Sequence, residues 1–153
     1  MFNISLRIVN DRDEAEDVLQ EAFLDAFSRI NDFRQETTFG LWLKQIVINK
    51  SINQLRKRKL DLVSLSDIDV AEPEDVDEED LQLQVESVKA AISELADGYR
   101  VVLTLYLFEG YDHQEIAGIL NVSENTSRSQ YMRAKRKLHC LLGKKGEKDA
   151  HKN

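Results

Sequence analysis

The sequence predicts an all-α protein: two small helical domains joined by an acidic linker, the second a four-helix domain containing a helix-turn-helix. Three observations carry this prediction. The 153 residues include one Pro and six Gly among long runs of Ala, Leu, Glu, Lys, Arg and Gln, which favour helix locally, and β-branched alternation is nearly absent. Apolar residues make up 42% of the chain, enough for a core in each half, and they recur at three- and four-residue steps. Between positions 60 and 88 stand eleven Asp or Glu and no Lys or Arg, together with the one proline, Pro73.

That acidic stretch organises the rest. Like charges at such density repel and keep a segment extended, so residues 60–84 read as a linker. A first domain then spans 1–59, a second 85–142, and residues 143–153 form a flexible basic tail. The formal charge of −7 opposes DNA binding only at first sight, because eleven of the 28 acidic residues sit in or beside the linker and the remainder of the chain is net positive. A linker of this charge is also expected to cover the chain's own basic helices and weaken DNA binding by the free protein.

In the first domain, Ala15, Val18, Leu19, Ala22, Phe23, Ala26, Phe27 and Ile30 mark an amphipathic helix. Asp11 with Glu14 three positions later has the form of an N-terminal capping box. A polar connection, residues 31–38, leads to a second helix whose broad apolar face comprises Phe39, Trp42, Leu43, Ile46, Val47, Ile52 and Leu55. It ends on Arg56, Lys57, Arg58 and Lys59, which suit either the negative end of the helix dipole or phosphate contact. Trp42 reads as core, or as a ring at a groove edge that stacks on an unpaired base.

In the second domain, Val85, Val88, Ile92 and Leu95 mark one helix, and residues 99–108 another that Gly110 stops in a left-handed conformation. Residues 112–120 form a short helix opened by a capping box of Asp112 and Glu115. Asn121 and Val122 turn the chain, and Ser123 caps a final helix from about Glu124 to Leu142. Ile116, Ala117, Leu120, Val122, Tyr131, Ala134 and Leu138 then share one seam. That packing turns Asn125, Arg128, Ser129, Met132, Arg133 and Arg136 outward. A major groove admits such a helix, with Asn125 and Arg128 placed to read bases and further basic residues to meet phosphates.

Other chemistries find less support. Cys140 has no partner for a disulfide and no metal-ligand spacing to His139 or His113, which fits a reduced cytoplasmic protein. His113 and His139 read as surface or capping residues. No apolar run approaches the roughly 18 residues of a membrane span, and no signal sequence opens the chain. Glu14, Asp17, Glu21 and Asp25, with Glu16 and Gln20 beside them, line the outer face of the first long helix. Stacked carboxylates bind divalent metal in some bundles, but no Glu-x-x-His pair, phosphate loop or Ser-His-Asp set accompanies them. The reading is of a protein that is not an enzyme and implies no metal and no cofactor. A protein-docking face and a solvated face both remain open for the carboxylates.

The segments EAEDVLQEAFLDAF (14–27) and FRQETTFGLWLKQIVINKSINQLRKRK (33–59) resemble region 2 of extracytoplasmic-function (ECF) sigma factors of the sigma-70 family. DHQEIAGILNVSENTSRSQYMRAKRKL (112–138) resembles their region 4. The resemblance implies promoter-specific transcription initiation with core RNA polymerase and promoter DNA as partners, and it admits an anti-sigma factor. Asp17, Gln20 and Glu21 would dock on the polymerase. Lys44, Asn49, Asn53, Arg56 and Arg58 would contact the minus-ten element. Asn125, Thr126, Arg128, Ser129 and Arg133 would contact the minus-thirty-five element. The alternative function is a stand-alone helix-turn-helix regulator whose first domain merely dimerises.

Three departures from the family pattern stand out. Region 2 usually begins with a further helix, whereas only about ten residues precede the Asp11 cap, so either an incomplete first core or a trimmed start is expected. Ser127 occupies a position usually filled by a β-branched apolar residue, and Gln130 one often filled by Arg. Ala96 stands where a proline usually follows the position of Leu95.

Overall fold

The computed structural model describes residues 1–61 and 85–150, the side chains of residues 59–61 and 144–150 excepted. The linker expected over 60–84 therefore lies, from residue 62 onward, outside the described residues, as does the end of the tail. The chain divides into two compact units, one on each side of that stretch. The described residues contain helices and connections and no strand, so the fold is all-α.

The first unit contains α1 (Phe2–Val9), α2 (Arg12–Ser28) and α3 (Phe39–Asp61), with a single 3-10 turn at Ile30–Asp32. The expectation of an incomplete core fails here. Eight of the ten residues before the Asp11 cap form α1, which packs against both α2 and α3 and fully buries Ile8 and Val9. Asn10, with φ 57° and ψ 30°, ends α1 in the left-handed region that Asn tolerates, and its N–H reaches the Leu6 carbonyl at 2.8 Å. Asp11 immediately caps α2 by accepting from the Glu14 N–H at 2.9 Å. Two helices thus join through a two-residue turn.

The reason α1 is needed can be read on α3. Ile46, Val47 and Ile48 are consecutive and all buried, which points side chains about 100° apart around the helix and requires neighbours on more than one side. α2 provides one, through a cluster of Ala22, Ala26, Leu43, Ile46 and Val47 with Leu19 and Trp42 against it. α1 provides the other. There Ser5 and Ser51, both fully buried, meet at 3.1 Å between hydroxyls, and Ser51 also donates to the Val47 carbonyl at 2.7 Å. Small residues with satisfied hydroxyls permit this contact without an unpaired polar group.

α2 buries Ala15, Val18, Ala22 and Ala26, so only part of its expected stripe is core. Phe23, Phe27 and Ile30 are exposed.

The second unit contains α4 (Val85–Ser93), α5 (Asp97–Leu103) continuing into a π-helical turn (Thr104–Phe108), α6 (His113–Leu120) and α7 (Glu124–Ala150). Its core joins Ile92, Leu95, Leu103 and Ala134, with Val88, Tyr99, Tyr131, Leu138 and Leu141 packed against them. Gly110, at φ 74°, ends the π turn in the conformation that glycine adopts without steric cost. Helix α7 runs on through residues 143–150, which were expected as flexible tail. Lys144, Lys145, Glu147, Lys148 and Ala150 favour that continuation of a helix already nucleated by packing, against Gly143 and Gly146.

Candidate nucleic-acid interface

Thr38 opens α3: its hydroxyl accepts from the Leu41 N–H at 3.3 Å. Beside this cap, Phe33, Phe39 and Trp42 form an aromatic triangle with ring centroids 5.4 to 5.8 Å apart. Trp42 is half-buried against the core and also walls a cleft of about 320 Å³. Asn49 and Asn53 line the same cleft and are exposed, with Asp25, Arg29, Gln45 and Lys50 around them. Amide groups and a ring edge at one opening can take a base through hydrogen bonds and stacking.

Lys44 lies half-buried and Arg56 exposed on α3. Arg58 is different. Its guanidinium donates to the Val9 carbonyl at the end of α1 and pairs with Glu14 of α2, Nε to Oε2 at 3.2 Å. The side chain expected to stand free for phosphate is thus committed to tying three helices together. Glu14 in turn is drawn out of the capping box, so only the Asp11 half of that box forms.

The carboxylate face of α2 divides the same way. Asp25 faces Arg29 at 3.3 Å and Lys50 at 4.0 Å, while Glu16 pairs with Arg12. Asp17, Gln20 and Glu21 remain exposed, and neither acid has an ion pair among the described residues. Farther along the helix, Leu24 and Phe27 stand 71% and 70% exposed. Acid beside a protruding apolar pair suits a protein partner better than solvent. Among the described residues no group of three or more His, Cys, Asp or Glu is gathered as a metal site.

In the second unit both halves of the Asp112 and Glu115 capping box are present, with Glu115 N–H to Asp112 at 2.8 Å and Asp112 N–H to Glu115 at 3.3 Å. Asn121, at φ 55°, turns the chain, and Ser123 caps α7 by accepting from the Thr126 N–H at 3.1 Å. The Thr126 hydroxyl joins this cap at 2.8 Å from Ser123 Oγ. Asn125, Arg128, Ser129, Met132, Arg133 and Arg136 all face solvent. Arg128 pairs with Glu124 at 2.5 Å in the free protein, an exposed contact that a guanine edge or phosphate can displace at small cost. Val122 falls outside the expected seam, being exposed at the turn.

Sequence reasoning missed two features of this unit. Ser127 is fully buried, and its Oγ lies 2.9 Å from Nδ1 of His113, a half-buried ring that bonds across to α7 instead of standing free at the surface. The imidazole stacks on Tyr106 with centroids 4.6 Å apart, and Tyr131 stands at 5.6 Å. Burial, and secondarily the neighbouring Tyr106, raise the pKa of Tyr131 above the usual phenol value. Arg100 is also buried, donating to the Leu95 carbonyl at 3.0 Å and to Asp97 at 2.6 Å. Only the pattern of an Asp three residues before an Arg hinted at that closure.

Comparison with known proteins agrees with these two units in order. The family model for Sigma-70 region 2 matches residues 1–60, and that for Sigma-70, region 4 matches residues 86–138. The chain is 31% identical to the ECF RNA polymerase sigma factor SigM of Bacillus subtilis, over 94% of this chain and 89% of that protein. It is 32% identical to the ECF RNA polymerase sigma-E factor of Escherichia coli K12, over 78% of this chain and 69% of that one. In fold it resembles the sigma factor RpoE of Bartonella quintana, solved with the anti-sigma factor NepR. That likeness has a TM-score of 0.64 at 22% identity and covers 93% of this chain and 89% of that chain. CnrH, solved with the cytosolic domain of CnrY, gives a TM-score of 0.56 at 23% identity, covering 93% and 79%. With a region 2 unit followed by a region 4 unit, and an ECF relative aligned over nearly its whole length, the chain belongs to the ECF sigma factors of the sigma-70 family.

Proposed function

We propose that this sigma factor directs core RNA polymerase to promoters through three separate surfaces. Asp17, Gln20 and Glu21 of α2 dock on the polymerase, with Leu24 and Phe27 extending that contact. The mouth of the cleft on α3, with Lys44, Asn49, Asn53 and Arg56, takes the minus-ten element. Asn125, Thr126, Arg128, Ser129 and Arg133 of α7 take the minus-thirty-five element, Arg128 and Asn125 reading bases and the others holding backbone or cap. Arg58 supports the minus-ten surface from behind by holding α1 and α2 against α3.

Residues 1–59 serve as region 2 and residues 85–142 as region 4, with residues 60–84 as the linker between them. The chain carries out no bond chemistry itself; the polymerase does so, in the cytoplasm. No helix among the described residues is long and apolar enough to cross a membrane. An anti-sigma factor, as in the solved complexes of RpoE and CnrH, is a further partner.

The observation that carries this reading is the coexistence, in one chain, of an exposed and unneutralised acidic edge on the first unit with an outward basic face on a helix-turn-helix. A stand-alone DNA regulator needs only the second. The experiment is run-off transcription from a random promoter pool with purified core polymerase, with the chain absent, present, or carrying Asp17→Arg and Glu21→Arg together. Starts that share upstream elements, depend on the chain and vanish with the double substitution support the proposal. If the chain alone retains specific duplexes and no start depends on it, the protein is a regulator of the other kind.

A further inference from the structure

A serine in the seam of a helix-turn-helix is costly unless its hydroxyl is satisfied, because a buried donor without a partner keeps its desolvation penalty. Ser127 has no exposed surface, and its Oγ meets Nδ1 of His113 at 2.9 Å. His113 opens α6 and Ser127 lies in the first turns of α7, so this bond joins the two helices next to the residues that face DNA. The imidazole is held from two directions. Tyr106, from the π turn, stacks on its face with an interplanar angle of 17°, and Tyr131, from α7, meets it at 59°. Tyr106 and Tyr131 also touch one another, with centroids 4.4 Å apart. The direction of Nδ1 is therefore set by three elements of the unit.

We infer that His113 and Ser127 form a positioning latch that sets the roll of α7 and thereby the sequence preference of the minus-thirty-five contact. This inference rests on the assignment of α7 to that element. A hydrogen bond is directional, whereas an apolar side chain at the same place tolerates sliding and rolling. A roll of about 10° moves a group at the ~5–6 Å side-chain radius of a helix by about 1 Å, which is enough to break bidentate geometry at a base edge. Arg128 and Ser129 follow Ser127 directly in sequence and share its turn of α7, so they respond first. The latch touches no DNA itself.

The test uses the full chain with core polymerase and a promoter pool randomised at both elements, comparing Ser127→Ala, His113→Ala, the double variant and His113→Asn. Asn keeps a hydrogen-bonding group near the position of Nδ1. Each Ala variant is expected to broaden base preference at the upstream element on the order of tenfold while leaving preference at the minus-ten element unchanged. The double variant should broaden it no further than either single one, since the pair acts as a unit, and His113→Asn should restore most of the preference.

Unchanged upstream preference, additive single effects, or equal loss of preference at both elements would overturn the latch. Should His113→Ala not fold, Ser127→Ala against His113→Asn decides alone: broadened by the first and kept by the second, or not. If wild-type chain supports no polymerase-dependent start, the promoter assignment fails separately. The same variants are then read on duplexes retained by the free chain, where an unmoved sequence preference overturns the latch in its own right.

Discussion

Arg58 and Arg128 look alike in the sequence, each a basic residue on the polar side of a helix, yet the structure uses them in different ways. Arg58 bridges the Val9 carbonyl and Glu14, so Arg58→Met is expected to destabilise the first unit by about 1–2 kcal/mol. A lower denaturation midpoint followed by Trp42 fluorescence checks this; an unchanged midpoint with a weaker salt dependence of promoter binding would make Arg58 a phosphate contact instead. Arg128 makes only an exposed pair with Glu124. Arg128→Ala should therefore leave folding nearly unchanged while relaxing specificity at one upstream base pair by about 1–3 kcal/mol, measured by competition between promoter variants. Uniform loss on all sequences would assign it to phosphate. Neither difference was legible in the sequence, because periodicity gives the direction of a side chain around its own helix but not what another helix places opposite.

At the scale of elements, α1 is the clearest case. Eight residues with no charged cap are amphipathic but too short to stand out in the sequence, and a helix this short is marginal alone. Its stability comes from burying Ile8 and Val9 between α2 and α3, so Ile8→Ala is expected to cost about 2–5 kcal/mol and to unfold much of the first unit. The boundary before α5 offers the opposite kind of change. Ala96 has φ −56° and ψ 149°, which a proline ring adopts without strain. Ala96→Pro should stabilise the second unit by about 0.4–1 kcal/mol through the unfolded chain, seen as a raised thermal midpoint; a lowered one would show that the site does not tolerate the ring. By contrast, the caps at Asp11, Asp112 and Ser123 were readable beforehand, since a cap is a local contact between residues three apart.

For the whole molecule, two cores imply two unfolding events. The single tryptophan, Trp42, belongs to the first unit, whereas far-ultraviolet circular dichroism reports helices in both. Chemical denaturation followed by the two signals is expected to give non-coincident transitions, and Ile8→Ala should move the fluorescence transition together with only the first unit's share of the circular dichroism change. Coincident curves that shift together would instead indicate one cooperative unit. The distribution of charge belongs to this scale as well. A net charge of −7 coexists with an outward basic helix because the acid is gathered elsewhere in the chain, so it is the local field of each face that governs contact with DNA.

By itself the sequence determined the all-α class, the capped helix-turn-helix, the outward set from Asn125 to Arg136, and the family. Each rests on contacts between near neighbours or on period, which a linear string preserves. Tertiary structure alone decided that the first ten residues complete a core, that Arg58 turns inward, that Leu24 and Phe27 protrude beside the acidic edge, and that Ser127 finds His113. Those outcomes depend on pairs brought together across many residues, where the identity of the partner, rather than the propensity of either residue, sets the free energy.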